Sequence, residues 1–182
     1  MWNSMKRKRS VRNRRARRCL FLILLALLAL LLIWPRTVHL EGLVSPYAIL
    51  VDADSGEAVA EKEADVSIYP ASMTKVMTAF LALEANPDLE QPVTLPEDIF
   101  PELRAEGASM AGFRPDETAT VRDLLYGALL PSGAECCEAL AREVSGSEEA
   151  FVELMNQKAA ELGMRSTHFC NPTGLHDPEH VS

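Results

Sequence analysis

The sequence predicts an α+β fold in which a β-hairpin and one buried helix precede a loop-rich stretch and a cluster of three helices. Three observations carry that prediction. Tyr47 to Val51 is apolar and rich in β-formers, "DADSG" at 52–56 supplies turn residues, and "EAVAEKE" at 57–63 alternates weakly. From Ser72 onward, Met73, Val76, Met77, Phe80, Leu81 and Leu83 recur with helical spacing. Past residue 119, three further helical patterns follow one another.

The chain has 182 residues and a net charge of −8, an average over two unlike parts. Residues 1–18 carry nine cations and no acid, whereas the stretch from Pro35 onward sets nine cations against 26 acidic residues, a net charge of −17. Between them, Cys19 to Trp34 ("CLFLILLALLALLLIW") is an unbroken apolar run of 16 residues. As a helix it spans about 24 Å, somewhat less than a hydrocarbon core of roughly 30 Å. Ala16, the snorkelling stems of the flanking arginines and Trp34 at the interface make up the difference. Cations packed on the N-terminal side predict a cytoplasmic N-terminus and an extracytoplasmic remainder. "WPRTVHLEGLVSPY" offers no clean small-x-small cleavage site, so the run reads as an uncleaved signal anchor rather than a cleaved signal peptide. The organisation expected is a basic cytoplasmic tail (1–18), a single-pass transmembrane anchor (19–34), a linker (35–46) and an outer domain (47–182). In that setting the basic tail sits at the membrane, and nucleic acid is not expected as a partner.

The outer domain has enough chain for one core. The helix beginning near Ser72 is apolar on most sides, which predicts burial, and Asn86 with Pro87 stops it. Pro87, Pro92, Pro96, Pro101 and Pro115, with Gly107 and Gly112, predict irregular structure and a few short elements. Thr120 followed by Asp123 resembles a capping signal, and Pro131 closes the helix it opens. A second helix starts in "SGAECCEALAREV" (132–144). The third, "SEEAFVELMNQKAAELGM" (147–164), places Phe151, Leu154, Met155, Ala159 and Leu162 on one face, with Gly163 as its stop.

Cys136 and Cys137 are adjacent and cannot bridge each other in a helix without strain. They and Cys170 read as small buried thiols; a bridge from Cys170 to one of the pair is the alternative in an oxidising compartment. No Cys or His spacing predicts a metal. His176 and His180 are four apart, but Pro178 opposes the helix that would align them, so they read as solvated turn residues. No cofactor is expected.

Ser72 and Lys75 carry the chemistry. Three apart near a helix N-terminus, they lie on one face, so the amine reaches the hydroxyl. Their apolar neighbours desolvate the lysine, which lowers its pKa and suits it to act as a base. The helix dipole favours negative charge developing beside Ser72. Ser-x-x-Lys alone arises readily by chance; an apolar helix around it does not.

The stretch "YPASMTKVMTAFLALE" resembles the nucleophile motif of the low-molecular-mass penicillin-binding proteins, the serine D-Ala-D-Ala carboxypeptidases (peptidase S11) related to β-lactamases. "AILVDADSGEAVAEKEAD" is similar to the hairpin before that motif, "TVRDLLYGALLPSGAECCEALA" to the segment carrying the second motif, and "FVELMNQKAAELGMRSTHFCNPTGLHDPEH" to the helix and turn that follow. The matches keep one order over roughly residues 47–180. The resemblance implies a β-lactamase/transpeptidase-like fold, with an antiparallel sheet packed on a helical cluster. It implies that Ser72 attacks the penultimate D-Ala carbonyl, that Lys75 is the base, and that Ser132 relays a proton to the leaving amine. It also implies peptidoglycan pentapeptides as substrate, β-lactams as covalent inhibitors, and residence at the bacterial cell membrane.

Two positions depart from the family pattern. Ala134 stands where S-x-N has its Asn, and Glu135 beside it is an acceptor, not a donor. Ser132 and Glu135 also have the spacing of a capping box. The family's K-T-G is absent, and "PTGL" at 172–175 matches an earlier turn, so the chain reads as a C-terminally truncated member. Ala134 and the missing K-T-G leave an alternative, an impaired domain that binds muropeptides without turnover. A β-lactamase is the other alternative, opposed by the anchor and by "NPTGLHDP".

Overall fold

The computed structural model describes residues 42–182 together with Leu25, Val38 and Leu40. The basic tail and, apart from Leu25, the expected anchor therefore lie outside the described residues. Among the described residues, no helix is long and apolar enough to cross a membrane. The chain divides into two compact units, Met1–Val66 and Ser67–Ser182.

The first unit contains the hairpin. β1 (Ala48–Val51) and β2 (Ala58–Lys62) pair antiparallel, Ala48 opposite Lys62 and Leu50 opposite Ala60, with an irregularity at Leu50/Val51. Asp52 organises the turn. Its Oδ1 accepts from the Asp54 and Ser55 backbone N–H groups at 3.1 and 2.8 Å and from the Ser55 hydroxyl, giving the backbone a local alternative to further pairing. Lys62 Nζ donates to the Leu43 and Ser45 carbonyls and so holds the chain leading into β1.

The second unit is mainly helical. After a 3-10 turn (Ala71–Met73) come α1 (Thr74–Ala85), β3 (Pro92–Thr94), a 3-10 turn (Glu97–Ile99) and α2 (Phe100–Ala105). β4 (Thr118–Thr120), α3 (Val121–Leu129), α4 (Ala134–Ser145) and α5 (Glu148–Glu161) complete it. β3 and β4 form a short antiparallel pair centred on Val93 opposite Ala119. Thr120 caps α3 through the full reciprocal box with Asp123, as its spacing predicts. Ser147 caps α5, and Gly163 follows its end with φ +77°.

α4 is the centre of the packing: every residue from Ala134 to Ala141 is buried. One cluster gathers Leu95, Phe100, Leu124, Cys136, Cys137 and Leu140, among others. A second gathers Met77, Leu81, Phe151, Met155 and Phe169. Burying a side chain of this size contributes roughly 1.5–3 kcal/mol. Leu162, expected on the buried face of α5, is exposed. Cys136, Cys137 and Cys170 are free thiols.

α1 departs from its expected burial. Val76 is 64% exposed, and Phe80 and Leu83, on the same stripe at i+4 and i+7, are exposed too. The buried side instead carries Thr74, Lys75 and Thr78 with Met77, Ala79, Leu81 and Ala82. Hydropathy misjudges this helix because its polar side chains find partners inside. Thr78 Oγ1 donates to the Pro172 carbonyl at 2.6 Å, and a bonded hydroxyl costs little to bury.

Candidate active site

Ser72 sits exposed on the 3-10 turn that leads into α1, and Lys75 lies in the first turn of that helix. Lys75 Nζ donates to Ser72 Oγ at 3.1 Å and to the Thr173 carbonyl at 2.6 Å. Ser132, on the connection from α3 to α4, donates its hydroxyl to Ser72 Oγ at 2.9 Å. All three sequence-predicted residues thus meet at one oxygen, brought together across 60 residues of chain.

The backbone around that oxygen is unusual. Ala71 and Ser132, with φ of +48° and +64°, both occupy the left-handed region. After Ser132 the chain is held by Gly133 N–H on the Gly127 carbonyl and Ala134 N–H on the Ser109 carbonyl, each at 2.8 Å. A Cβ on Gly133 would stand 2.6 Å from Ala111 Cβ and 2.8 Å from the Gly127 oxygen, so only glycine lets the segment lie this close. Gly174 does the same for the other wall. Its φ is +77°, and a Cβ there would overlap the Ala71 carbonyl oxygen next to Ser72.

Asn171 shapes that second wall. Its Oδ1 accepts from Thr173 N–H, Thr173 Oγ1 and Gly174 N–H, while its Nδ2 donates to the Leu175 carbonyl. The turn so formed points the Thr173 carbonyl at Lys75. This carbonyl went unrecognised in the sequence, where only the "NPTGL" string hinted at a built turn.

Burial lowers the Lys75 pKa from its ordinary value, which favours the neutral amine that a base requires. Two acidic groups oppose the shift, Cys137 and Glu135. The Cys137 thiol is pushed up to about 12 by its own burial and is uncharged at neutral pH, so Glu135 is the effective opponent. Glu135 is fully buried; its Oε1 accepts from Gly112 N–H at 2.8 Å and its Oε2 has no partner. No capping box forms with Ser132: the N-cap of α4 is Gly133, and the Ser132 hydroxyl is used on Ser72. Ala134 lies in the larger core cluster.

The expected solvated histidines are not both so. His180 is 2% exposed, with Nε2 at 2.8 Å from Thr74 Oγ1, because the turn folds it under the start of α1. His176 meets the Tyr69 ring edge-on. The two rings face different neighbours. Among the described residues, no group of three or more His, Cys, Asp or Glu side chains is placed to hold a metal ion.

The sequence profile described as D-alanyl-D-alanine carboxypeptidase matches residues 36–182. D-alanyl-D-alanine carboxypeptidase DacF of Bacillus subtilis is 38% identical over 135 residues, which cover 74% of this chain and 35% of that protein. Penicillin binding protein 6B from Escherichia coli superposes with a TM-score of 0.73 at 28% identity, over 81% of this chain and 48% of the other. The Streptomyces K15 DD-transpeptidase does so with a TM-score of 0.69 at 31% identity, over 75% and 54%. The chain thus spans little more than a third of the curated relatives it matches first.

Proposed function

The chain belongs to the D-alanyl-D-alanine carboxypeptidase family, and on that footing we propose that it is a serine-type D-Ala-D-Ala carboxypeptidase acting on peptidoglycan stem peptides. The observation that carries the proposal is the convergence of Lys75 Nζ and Ser132 Oγ on Ser72 Oγ. In the neutral amine, an N–H bond to the Thr173 carbonyl leaves the nitrogen lone pair free to face Ser72. Lys75 takes the hydroxyl proton as Ser72 Oγ attacks the carbonyl carbon of the penultimate D-Ala. The start of α1 favours the negative charge that develops there. Breaking the C–N bond releases the terminal D-Ala, whose amine receives the proton through Ser132. Water then hydrolyses the ester and restores Ser72.

β-Lactams present an amide carbonyl to the same oxygen and would remain attached as acyl-enzymes. No step needs a cofactor. Residues 19–34 are read as the anchor that holds the domain outside the bacterial cell membrane; the charge asymmetry across that run supports this reading.

A fluorescent penicillin tests the assignment. The wild-type chain is expected to keep the label through denaturing electrophoresis and to release D-Ala from a pentapeptide, and Ser72→Ala to do neither. Equal labelling of Ser72→Ala would sink the nucleophile assignment. Labelling without D-Ala release would leave a binding module and no peptidase.

A further inference from the structure

The nucleophile turn is bracketed by one short segment, residues 180–182. On one side of Ser72, Ile68 and Ser182 exchange both backbone hydrogen bonds, each at 2.9 Å. On the other side, His180 reaches Thr74, the first residue of α1, at 2.8 Å. The same segment is anchored behind by the His168–Val181 bridge, with bonds of 2.8 and 3.0 Å. Positions 68 and 74, which flank Ser72, are therefore held by a strip three residues long.

The tautomer of His180 follows from its partners. The Cys170 backbone N–H can only donate, and it points at Nδ1 from 3.2 Å, so Nδ1 carries the lone pair. The proton of the neutral ring then sits on Nε2, which donates to Thr74 Oγ1. The Phe169 ring packs edge-on against the imidazole, at 5.6 Å between centroids.

We propose that His180 is a positioning residue of the acylation reaction: its neutral imidazole, bonded at both nitrogens, fixes Thr74 and with it the spacing of Ser72 from Lys75. The inference rests on Ser72 being the nucleophile and Lys75 its base. His180 touches neither the substrate nor those two groups, and it acts through Thr74. Protonating the ring puts a proton on Nδ1, where the Cys170 N–H needs an acceptor, so acid undoes the bracket.

Burial holds the His180 pKa below its ordinary value of 6.5. Asp177 on its own turn favours the charged ring, whereas His168 on the bridged segment opposes it. From the start of α1 the ring meets the uncharged Thr74, and from residues 169–170 of the same chain the Phe169 ring and the Cys170 backbone.

The experiment measures fluorescent-penicillin acylation of the 182-residue chain across pH, separating the limiting acylation rate from the apparent penicillin affinity. Thr74→Val is isosteric and removes only the hydroxyl. His180→Asn keeps an acceptor for Cys170 and loses the donor to Thr74, while His180→Gln keeps that donor and cannot titrate. Thr74→Val and His180→Asn are each expected to lower the limiting rate by about tenfold, the factor that one lost hydrogen bond of about 1.4 kcal/mol carries. Affinity should stay within about twofold, and the double variant should be no slower than either single, since both remove one bond. His180→Gln should stay within about threefold of wild type at neutral pH and lose the part of the acid fall that ring protonation adds, keeping the limb that Lys75 sets. Wild-type rates in Thr74→Val and His180→Asn, additive losses in the double variant, or an acid fall in His180→Gln as steep as in wild type would each overturn the proposal. Ser72→Ala in the same assay separates that failure from failure of the underlying reading, which would show as persistent labelling.

Discussion

The backbone N–H of Gly112 donates to Glu135 Oε1, tying the loop after α2 to the first turn of α4 and leaving Glu135 Oε2 enclosed without a partner. That carboxylate favours the protonated form of Lys75, against the burial that lowers the amine's pKa. Glu135→Gln keeps an acceptor for Gly112 and removes the charge. The Lys75 pKa should then fall further, so more of the amine is neutral at a given pH. The rising limb of the acylation profile is expected to move to lower pH. A limb that stays put or moves upward would show that Glu135 does not act on the base.

Gly174 carries a second prediction. Alanine there must accept φ of +77° and a Cβ overlapping the Ala71 carbonyl oxygen. Left-handed strain and overpacking together should cost about 2–4 kcal/mol. Because the clash falls on the residue before Ser72, the penicillin acylation rate should drop in whatever protein still folds. Urea denaturation and labelling of Gly174→Ala check both halves, and a neutral result in either would contradict this account of the wall.

Glu138 makes stability depend on pH. Its carboxyl is buried in α4, and its pKa is pushed up to about 8, chiefly by burial and next by Glu148. The folded value lies above the ordinary 4.5, so the protonated group stabilises the fold fully below that value. The contribution is lost as pH rises toward about 8. Glu138→Gln is neutral throughout. Between acid and mildly alkaline buffer, wild type should lose on the order of 5 kcal/mol relative to this variant. Parallel stability curves for the two proteins would refute the assignment.

How far the sequence reveals this molecule varies from residue to residue. The Thr120–Asp123 box and the Gly163 stop are local, depending on neighbours within one turn, and both could be read directly. The exposed face of α1 was hidden because the burial of Thr74, Lys75 and Thr78 is decided by groups about a hundred positions away. β3 and β4 were missed because each has three residues, too few for alternation to register. In the site, Ser72 and Lys75 were legible from spacing, and Ser132 only through likeness to other chains. The Thr173 carbonyl belongs to the main chain, so no residue type advertises it. His180 looked like a wet turn residue because nothing local reveals that its ring folds beneath the start of α1.

The left-handed backbone at Ser132 separates durability from chemistry. For a residue with a Cβ, φ of +64° costs roughly 1–2 kcal/mol, which glycine would largely spare. Glycine at 132 would make a sturdier protein and would also remove the hydroxyl that reaches Ser72. Under the proposed role of Ser132, selection for robustness alone would erase this serine, whereas selection for turnover would keep it in a conformation it does not prefer. Stabilising the domain by replacing every strained residue would therefore yield a folded protein without the Ser132 hydroxyl on Ser72, and on the proposed mechanism without its proton path.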